Sequence, residues 1–296
     1  MSWPNAWRQS MASFAAHAHA FDDDAARTNK GAVFYDHRGS LQGFKHAANA
    51  NSAGAATPLT VKGDIINNSA NATGQTIGMN LALLPTSTGI VNTASGNITL
   101  SGNISGAGGI IKNGANSLTL SGANSYNGTT TINTGTVFVT SNTALGSAAA
   151  GTTINGGKLV LNGAGMNISE NITIDTTTSN GDIQNWANGT ISGLITLRNA
   201  GADIRNANSA TLTLTGGITS AFNRSLNFVT NAIINTTPIT IGTGVLGFQG
   251  GASQLNVAGN TFGSLDLGWN GNLTLGVSNA ITSTANVRFG GNNLTN

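Results

Sequence analysis

Three carboxylates are the residues of this sequence best placed to do chemistry. Asp175 and Asp182 flank the turn sequence Asn180-Gly181, and Asp182 lies 21 residues before Asp203. Arg205 is two residues further on and is close enough in sequence to pair with Asp203. An enzyme that cleaves glycosidic bonds needs one carboxylic acid as proton donor and a second carboxylate as base or nucleophile. A secreted polysaccharide lyase or hydrolase is therefore the enzyme class to weigh for this chain.

The competing interpretation of these carboxylates is structural. Asp is common in turns, where its side chain accepts hydrogen bonds from its own backbone. The other carboxylates after residue 46 are scattered singly, at Asp64, Glu170 and Asp266. We therefore predict that the chain has no catalytic residue and is not an enzyme.

Metal and cofactor sites are not predicted either. His17, His19 and His37 lie near the acidic run Asp22-Asp23-Asp24, but they lack the spacing of a helical zinc motif. The glycine-rich segment 106–109 resembles a phosphate loop only in composition. No Gly-Lys-Ser/Thr follows it and no helix N-terminus is expected there. The absence of Cys removes thiolate chemistry and Cys-based zinc sites.

Short strands are the elements that must position any of these side chains. Ser117-Leu118-Thr119-Leu120-Ser121 alternates polar and apolar residues, which predicts a half-buried strand with its two leucines inward and Thr119 facing water. Residues 130–133 and 136–139 repeat the pattern. Strict alternation points Phe138 and Val160 away from the core, where they could seed contact with another molecule or be ordinary exposed residues.

Similar strands recur about every 20 residues. Ile98 and Leu100 precede Leu118 and Leu120 by 20 residues and are expected to stack on them in the core. Further copies follow at 158–163, 211–216 and 272–276, and looser ones at 245–248 and 264–268. Up-and-down barrels and sandwiches also contain many short strands. This period is typical of a solenoid, in which stacked units share one core. At roughly 20 to 25 residues per coil, the sequence predicts an all-β, parallel β-helix of about eleven coils.

The composition favours an elongated sheet protein with a polar, weakly charged surface. Charged residues are 7% of the chain, and the sequence contains 41 Gly and 4 Pro. Ordinary globular proteins have about 25% charged residues, so Thr, Ser and Asn must cover this surface. We expect Asn side chains to stack in ladders from coil to coil. A net charge of +2 without a basic stripe gives no reason to expect a nucleic-acid partner.

Residues 1–46 differ from the remainder and are predicted to be a disordered or degenerate leader. They contain all four His, including His46, and nine of the 22 charged residues. As a secretory signal they are poor, because His17 and His19 interrupt the apolar stretch and an acidic run follows. Residues 47–296 form the second predicted unit, the β-helical body.

The stretch from Gly106 to Val139 resembles the autotransporter-associated β-strand repeat of bacterial surface passenger proteins. Asn116 stands where that motif has Gly, a change that Asn tolerates if the position is left-handed. The motif positions occupied here are Gly106, Gly108, Gly109, Ile110, Lys112, Gly114, Leu118, Thr119, Leu120, Ser121, Gly122, Asn124, Tyr126, Gly128, Thr130, Ile132, Gly135, Thr136, Val137 and Val139.

The resemblance implies a right-handed β-helix displayed outside the cell or on the bacterial outer membrane through type V secretion. It implies a structural, adhesive or self-association role, with a host surface, a glycan or another copy of the chain as partner. The resemblance implies anchoring in the outer membrane through a C-terminal β-barrel, which we do not expect within these 296 residues, so we expect either a fragment of a longer protein or another kind of anchor. The rivals are the glycan-cleaving enzyme above and a structural coat or tail component.

Limited proteolysis is expected to remove most of residues 1–46 before it cleaves the body. The leader lacks the repeat that buries backbone, and exposed termini are preferred sites of nicking. Mass spectrometry of a protease time course would identify the fragments. A leader as resistant as the body would show instead that it caps the first coil, which solenoids require at an exposed end.

Overall fold

The computed structural model describes residues 57–67, 74–85, 88–93, 95–177, 182–199, 201–207, 209–234, 236–268, 270–282 and 286–290. The predicted leader and its boundary at residue 47 lie outside this part of the chain. The described residues form 29 strands and no helix, and every strand pairing among them is parallel. Within the same residues, no helix is long and apolar enough to cross a membrane.

The strands are two to five residues long, and Gly, Asn or Ser residues commonly separate them. In chain order they are β1 (Leu59–Val61), β2 (Ile65–Ile66), β3 (Gln75–Ile77), β4 (Leu81–Leu83), β5 (Thr88–Asn92), β6 (Ile98–Leu100), β7 (Ile104–Gly106), β8 (Gly109–Asn113), β9 (Ser117–Leu120), β10 (Thr130–Ile132), β11 (Thr136–Val139), β12 (Thr152–Ile154), β13 (Lys158–Leu161), β14 (Met166–Ile168), β15 (Ile172–Ile174), β16 (Ile183–Asn185), β17 (Gly189–Ile191), β18 (Ile195–Leu197), β19 (Ala202–Asn206), β20 (Leu212–Leu214), β21 (Ile218–Ser220), β22 (Leu226–Val229), β23 (Ala232–Ile234), β24 (Ile239–Thr240), β25 (Val245–Gln249), β26 (Ala252–Leu255), β27 (Ser264–Leu267), β28 (Asn272–Leu275) and β29 (Val287–Phe289).

Four sheets run along the rod. Sheet A is β1-β4-β7, and sheet B is β2-β5-β8-β10-β12-β15-β18-β21-β24. Sheet C is β3-β6-β9-β11-β13-β16-β19-β22-β25-β27-β29, and sheet D is β14-β17-β20-β23-β26-β28. Each strand pairs with the strand one coil earlier and the strand one coil later. The predicted all-β solenoid is therefore confirmed, and the hand of its coil stays a prediction.

The coil count is lower than the sequence predicted. Sheet C is crossed eleven times, but sheet B has nine strands, so the chain makes about nine turns rather than about eleven. The last two passes reduce sheet B to single bridges, Thr240 to Thr261 and Asn260 to Ile281. Asn260 is buried there and donates to the carbonyls of Val257 and Ala280. In these last coils the Asn260 side chain therefore bonds to the neighbouring coil at the position where earlier coils have paired strands of sheet B.

Strands β6 and β9 pair in the register that the sequence predicted. Ile98 pairs with Leu118 and Leu100 with Leu120, and all four side chains are buried. Val137 and Val139 continue the two columns in the next coil. Thr119 points away from the core and is half-buried. Farther along sheet C, Phe228 and Phe248 stack with ring centroids 5.4 Å apart.

Asn side chains join consecutive coils, as predicted, and they do so in two ways. In the first, amides form ladders: Asn133 donates to Asn113 and Asn155 to Asn133, both at 2.9 Å. In the second, an Asn Oδ1 accepts a backbone N–H from the next coil, either between strands or at the first or second residue of a strand. The acceptors of this kind include Asn80, Asn97, Asn103, Asn142, Asn171, Asn188, Asn223 and Asn231. These eight bonds lie at the surface, whereas Asn124 and Asn260 accept buried backbone N–H groups, of Ile104 and Ile239, which need a partner inside the protein.

The explanation offered above for Asn116 is wrong. Asn116 is not among the residues with positive φ. Its side chain donates to the carbonyl of Thr93 at 2.9 Å, and the Thr93 hydroxyl donates to the carbonyl of Asn116 at 2.8 Å. Asn is accommodated here because it cross-links two coils, not because it tolerates a left-handed backbone.

Truncating Leu120 to Ala is expected to cost about 2 to 5 kcal/mol of unfolding free energy, because it leaves a cavity between buried neighbours. Thr119→Ala, its neighbour on the outer face, should cost well under about 1 kcal/mol. Denaturant titration would measure both. Hydrogen exchange should show the Leu120 variant opening first around residues 95–140, while coils beyond about residue 210 keep their protection. A silent Leu120→Ala with a disruptive Thr119→Ala would contradict the register.

Candidate functional site

Two of the three candidate carboxylates, Asp182 and Asp203, lie in one column on the outer face of sheet C. Lys158, Asp182, Asp203 and Asn227 occupy equivalent positions on four consecutive coils, and we call them the charged column. The backbone N–H of Asp203 donates to Asp182 Oδ2 at 3.1 Å. The prediction that a spacing of 21 residues places Asp182 and Asp203 on adjacent coils is therefore confirmed.

The Asp203 carboxylate is held by two side chains of the rod. Arg205 Nη2 lies 3.2 Å from its Oδ2, which confirms the proximity suggested by the sequence. Asn227 Nδ2 donates to its Oδ1 at 3.2 Å from the next coil. The Asp203 side chain is 13% exposed and that of Arg205 is 45% exposed. The pair therefore lies at the surface, but the carboxylate is largely covered.

Asp182 combines acid-like electrostatics with poor access. The residue is only 3% exposed, and loss of hydration raises the pKa of its carboxyl group. The hydrogen bond from the Asp203 N–H opposes this pKa shift, and the nearby Asp203 carboxylate adds to it. A glycosidase pair also sets a protonated acid beside an ionised carboxylate. A glycan outside the rod, however, has almost no access to the acid of this pair.

Asp175 does not join the charged column. It follows β15 at the end of sheet B, where Asn199 donates to its Oδ1 and Arg198 Nη1 lies 4.0 Å from its Oδ2. Asp175 thus occupies the position equivalent to Asn155 on the next coil, where the Asn113–Asn133–Asn155 ladder ends. Its described hydrogen bond goes to the next coil rather than to its own backbone. The turn Asn180-Gly181, which separates it from Asp182, lies outside the described residues.

Phe138, Val160 and Trp186 form an aromatic patch beside the charged column. Phe138, Val160 and Gln184 are paired in register on three consecutive coils of sheet C. Trp186 follows β16, and its ring meets the Phe138 ring edge-on with centroids 5.1 Å apart. Because the two rings come from coils on either side of Val160, they close over it. Val160 points outward as predicted, yet it is only 1% exposed, while Trp186 is 48% exposed.

A buried polar cluster lies inside the rod, and the sequence analysis did not anticipate it. The Tyr126 hydroxyl shares a 2.5 Å hydrogen bond with that of Thr130. A Cβ at Gly146 (φ +91°) would come within 2.8 Å of the Tyr126 ring, so this Gly leaves the space that the ring occupies. Glu170 lies close enough for its charge to raise the pKa of Tyr126, although burial is the larger cause.

Glu170 is the unusual member of the buried cluster. It is 3% exposed, and its Oε2 has no hydrogen-bond partner among the described residues. Burial raises the pKa of the carboxyl to about 7. The sequence carried one usable signal. Glu170 lies two residues before a strand of inward isoleucines, in a body with few charges.

Lys112 is likewise inward-facing, at a position where the alternation of β8 calls for an apolar residue. Its ammonium donates to the carbonyls of Asn113, Gly114 and Thr134 at 2.6 to 3.0 Å. A Cβ at Gly135 (φ +71°) would lie 2.8 Å from Nζ. Burial lowers the pKa of Lys112 to about 8. The side chain thus satisfies carbonyls at the corner between sheets B and C.

Metal ligation finds no support in the described residues. No group of three or more His, Asp or Glu that could hold a metal occurs among them. The histidines weighed as ligands, His17, His19 and His37, lie outside the described ranges, as does Asp22-Asp23-Asp24.

Comparisons with known proteins identify the repeat. The Passenger-associated-transport-repeat family matches residues 110–137, which run from β8 into β11. Over 97 residues the chain is 36% identical to the Adhesin BmaC autotransporter of Brucella suis biovar 1 (strain 1330). The chain carries an autotransporter passenger repeat. The resemblance inferred from the motif residues is therefore confirmed. No solved structure matches the chain.

The autotransporter match is local in both proteins. It covers 33% of this chain and 3% of the adhesin. The autotransporter passenger family implies a secreted or cell-surface location. Lys112 lies within the matched repeat, whereas Asp182, Asp203 and Trp186 lie outside it. The repeat therefore accounts for the coil and not for the features of the outer face.

Glu170 predicts an unusual pH dependence of stability. The carboxyl binds its proton more tightly in the folded chain, with a pKa of about 7 against 4.5 when exposed. Folded protein therefore holds more protons between these values, and stability present below pH 4.5 is lost as pH rises through 7. We expect a loss of roughly 1 to 3 kcal/mol between pH 5 and pH 8 in denaturant titrations.

Glu170→Gln is the matched control for this prediction. It keeps the side-chain shape but cannot titrate, so its stability should be flatter over the same window. Parallel pH profiles of the parent and the variant would show that Glu170 does not carry the effect.

Proposed function

We propose that this chain is part of a surface-displayed passenger rod that makes contacts with host surfaces, with glycans or with other copies of itself, and that it performs no catalysis. The observation that carries the proposal is the aromatic patch. Trp186 stands half-exposed on a rod whose strands otherwise present mainly Thr, Ser and Asn to water. Trp is enriched at interaction sites relative to the rest of a protein surface.

The use of polar groups within the rod supports a scaffold. Asp203 and Asp175 bond to side chains of the following coils, and the Asn amides bond to backbone across coils. These groups are engaged in holding one coil on another, so they contribute to stiffness. A stiff rod with a contact patch on its outer face suits display at a distance from the cell surface.

The named relative agrees with this role at the level of its description. It is an adhesin and an autotransporter. Because this chain matches only a small part of it, adhesion is proposed for this chain and not transferred to it. A self-association role and a coat or tail role would both appear as oligomers in solution.

A glycan-cleaving function is the second candidate, and the Asp182–Asp203 contact favours it. The two carboxylates lie on adjacent coils beside Arg205, and burial raises the pKa of Asp182. The burial of Asp182 argues against this function, because a general acid must reach the glycosidic oxygen. Asp175, the third candidate, has its own partners elsewhere.

The two functions separate in a triple variant, Asp175→Asn, Asp182→Asn and Asp203→Asn. We expect the parent chain to bind cell monolayers or immobilised glycans, or to self-associate in sedimentation. The triple variant should do so equally within error, since no step needs a titrating carboxylate. Neither protein should release reducing or unsaturated sugar ends from polysaccharides.

Asp266→Asn serves as a control for charge loss in sheet C outside the candidate pair, and thermal melts would check folding. Polysaccharide cleavage that the triple variant loses would overturn the non-catalytic assignment. A parent chain that binds no surface, glycan or copy of itself would overturn the contact role.

A further inference from the structure

The aromatic patch has a fixed ring orientation. The edge of one ring faces the other at an interplanar angle of 68°, and the Trp186 indole N–H points at Gln184 Oε1, 3.4 Å away. The backbone N–H of Trp186 donates to the Leu161 carbonyl in the preceding coil at 2.9 Å. The indole is thus held from both sides while nearly half of it stays exposed. A ring that is already held loses little side-chain entropy when a ligand covers it.

The exposed apolar area is small and isolated. An indole of this exposure offers on the order of 100 Å², whereas a stable protein interface needs about 800 Å² from each partner. The other large exposed apolar side chains of the described residues lie elsewhere. Leu194 precedes a strand of sheet B, Phe222 lies in the turn before β22, and the remainder are Leu275, Val277, Val287 and Phe289 near the C-terminal end. The patch is therefore too small for a second copy and has the size of one sugar ring.

One polar side chain that matches sugar hydroxyls touches the indole, and others lie on the same outer face of sheet C. Gln184 offers an amide, which both donates and accepts hydrogen bonds as hydroxyls require. Arg205 is paired in register with Gln184 on the next coil, and it carries an exposed guanidinium beside Asp203. Lys158 lies on the same outer face, one coil before Gln184. The Arg205 guanidinium is paired with the Asp203 carboxylate, so this side of the patch carries charges of both signs and does not select an anionic or a cationic ligand.

We propose that the aromatic patch is a binding subsite for a neutral pyranose of a surface glycan. This inference rests on the contact role proposed above and deepens it. The C–H groups of one pyranose face carry small positive charges and stack on the negative face of the indole. The hydroxyls at the ring edge then reach Gln184 and Arg205. Because Phe138, Val160 and Trp186 come from three consecutive coils, the subsite exists only when these coils are stacked.

The test measures binding of the full chain to immobilised neutral oligosaccharides of glucose, galactose and mannose. Trp186→Ala should weaken binding at least about tenfold, since the stacking of a ligand ring on an aromatic side chain carries energies of this order for nucleic-acid bases. Trp186→Phe should retain part of the affinity, because a smaller ring still offers a face. Gln184→Ala should also weaken binding to the neutral oligosaccharides, because it removes the amide that is expected to bond to the sugar hydroxyls.

Phe222→Ala is the matched control, since Phe222 is 58% exposed and lies beside Arg224 but outside the aromatic patch. It should bind sugars as the parent does. Thermal melts of all variants would show whether the rod stays folded.

Three results would overturn the proposal. One is sugar binding that Trp186→Ala leaves unchanged. The second is a parent chain that adheres to cells but binds none of the neutral oligosaccharides, which would refute the subsite while the contact role stands. The third is sedimentation in which the parent self-associates and Trp186→Ala does not, because a second copy would then occupy the patch. Failure of the contact role itself would appear as absence of all binding.

Discussion

Parallel, in-register stacking of successive coils is the constraint on which the rest of the structure depends. Each strand pairs with the strand about 20 residues earlier, so a side chain is always packed on the equivalent side chain of the neighbouring coil. An inward column is therefore mostly apolar, as Ile132, Ile154, Ile174 and Leu197 show, although buried Lys112 and Ser220 continue this column at its two ends. Columns of like residues satisfy this rule with few residue types, which explains the repetitive composition.

The corners are where the constraint is hardest to meet. A chain that turns between sheets leaves backbone donors outside the strand ladders, and buried donors without partners destabilise the fold. Asn meets this need, because its side chain reaches the N–H of the next coil. Lys112 meets the complementary need by donating to three carbonyls at one corner. Polar residues in this rod are thus parts of the stack, and their presence alone does not indicate a site.

Most of the fold could be predicted from local sequence. Leu118 and Leu120 alternate with polar residues, and their spacing from Ile98 and Leu100 fixes which residues stack. The number of turns was less predictable, because a single Asn260 contact and isolated bridges can stand in for a sheet B strand near the end. Asn116 was misjudged for a related reason. Its partner Thr93 is 23 residues away in sequence, and no local sequence pattern predicts the hydrogen bonds between them.

The candidate site shows where local reasoning ends. Alternation gives the direction of a side chain but not its burial. Val160 points outward, yet rings from the coils before and after it cover it. Glu170 and Tyr126 interact electrostatically in the core, and Gly146 on an intermediate segment leaves the space for the Tyr126 ring. Such contacts join residues about 40 to 50 apart in sequence, twice the coil period, and they become visible only when the stack is built.

The outer columns are also the ones that stacking leaves most free to vary. Outer-face side chains of sheet C that are exposed and bond to no other coil, unlike Asp203 and Asn227, can change at little cost to the rod. Recognition of a partner can therefore evolve there without loss of the fold, and an aromatic pair that spans three coils makes that recognition depend on the integrity of the rod.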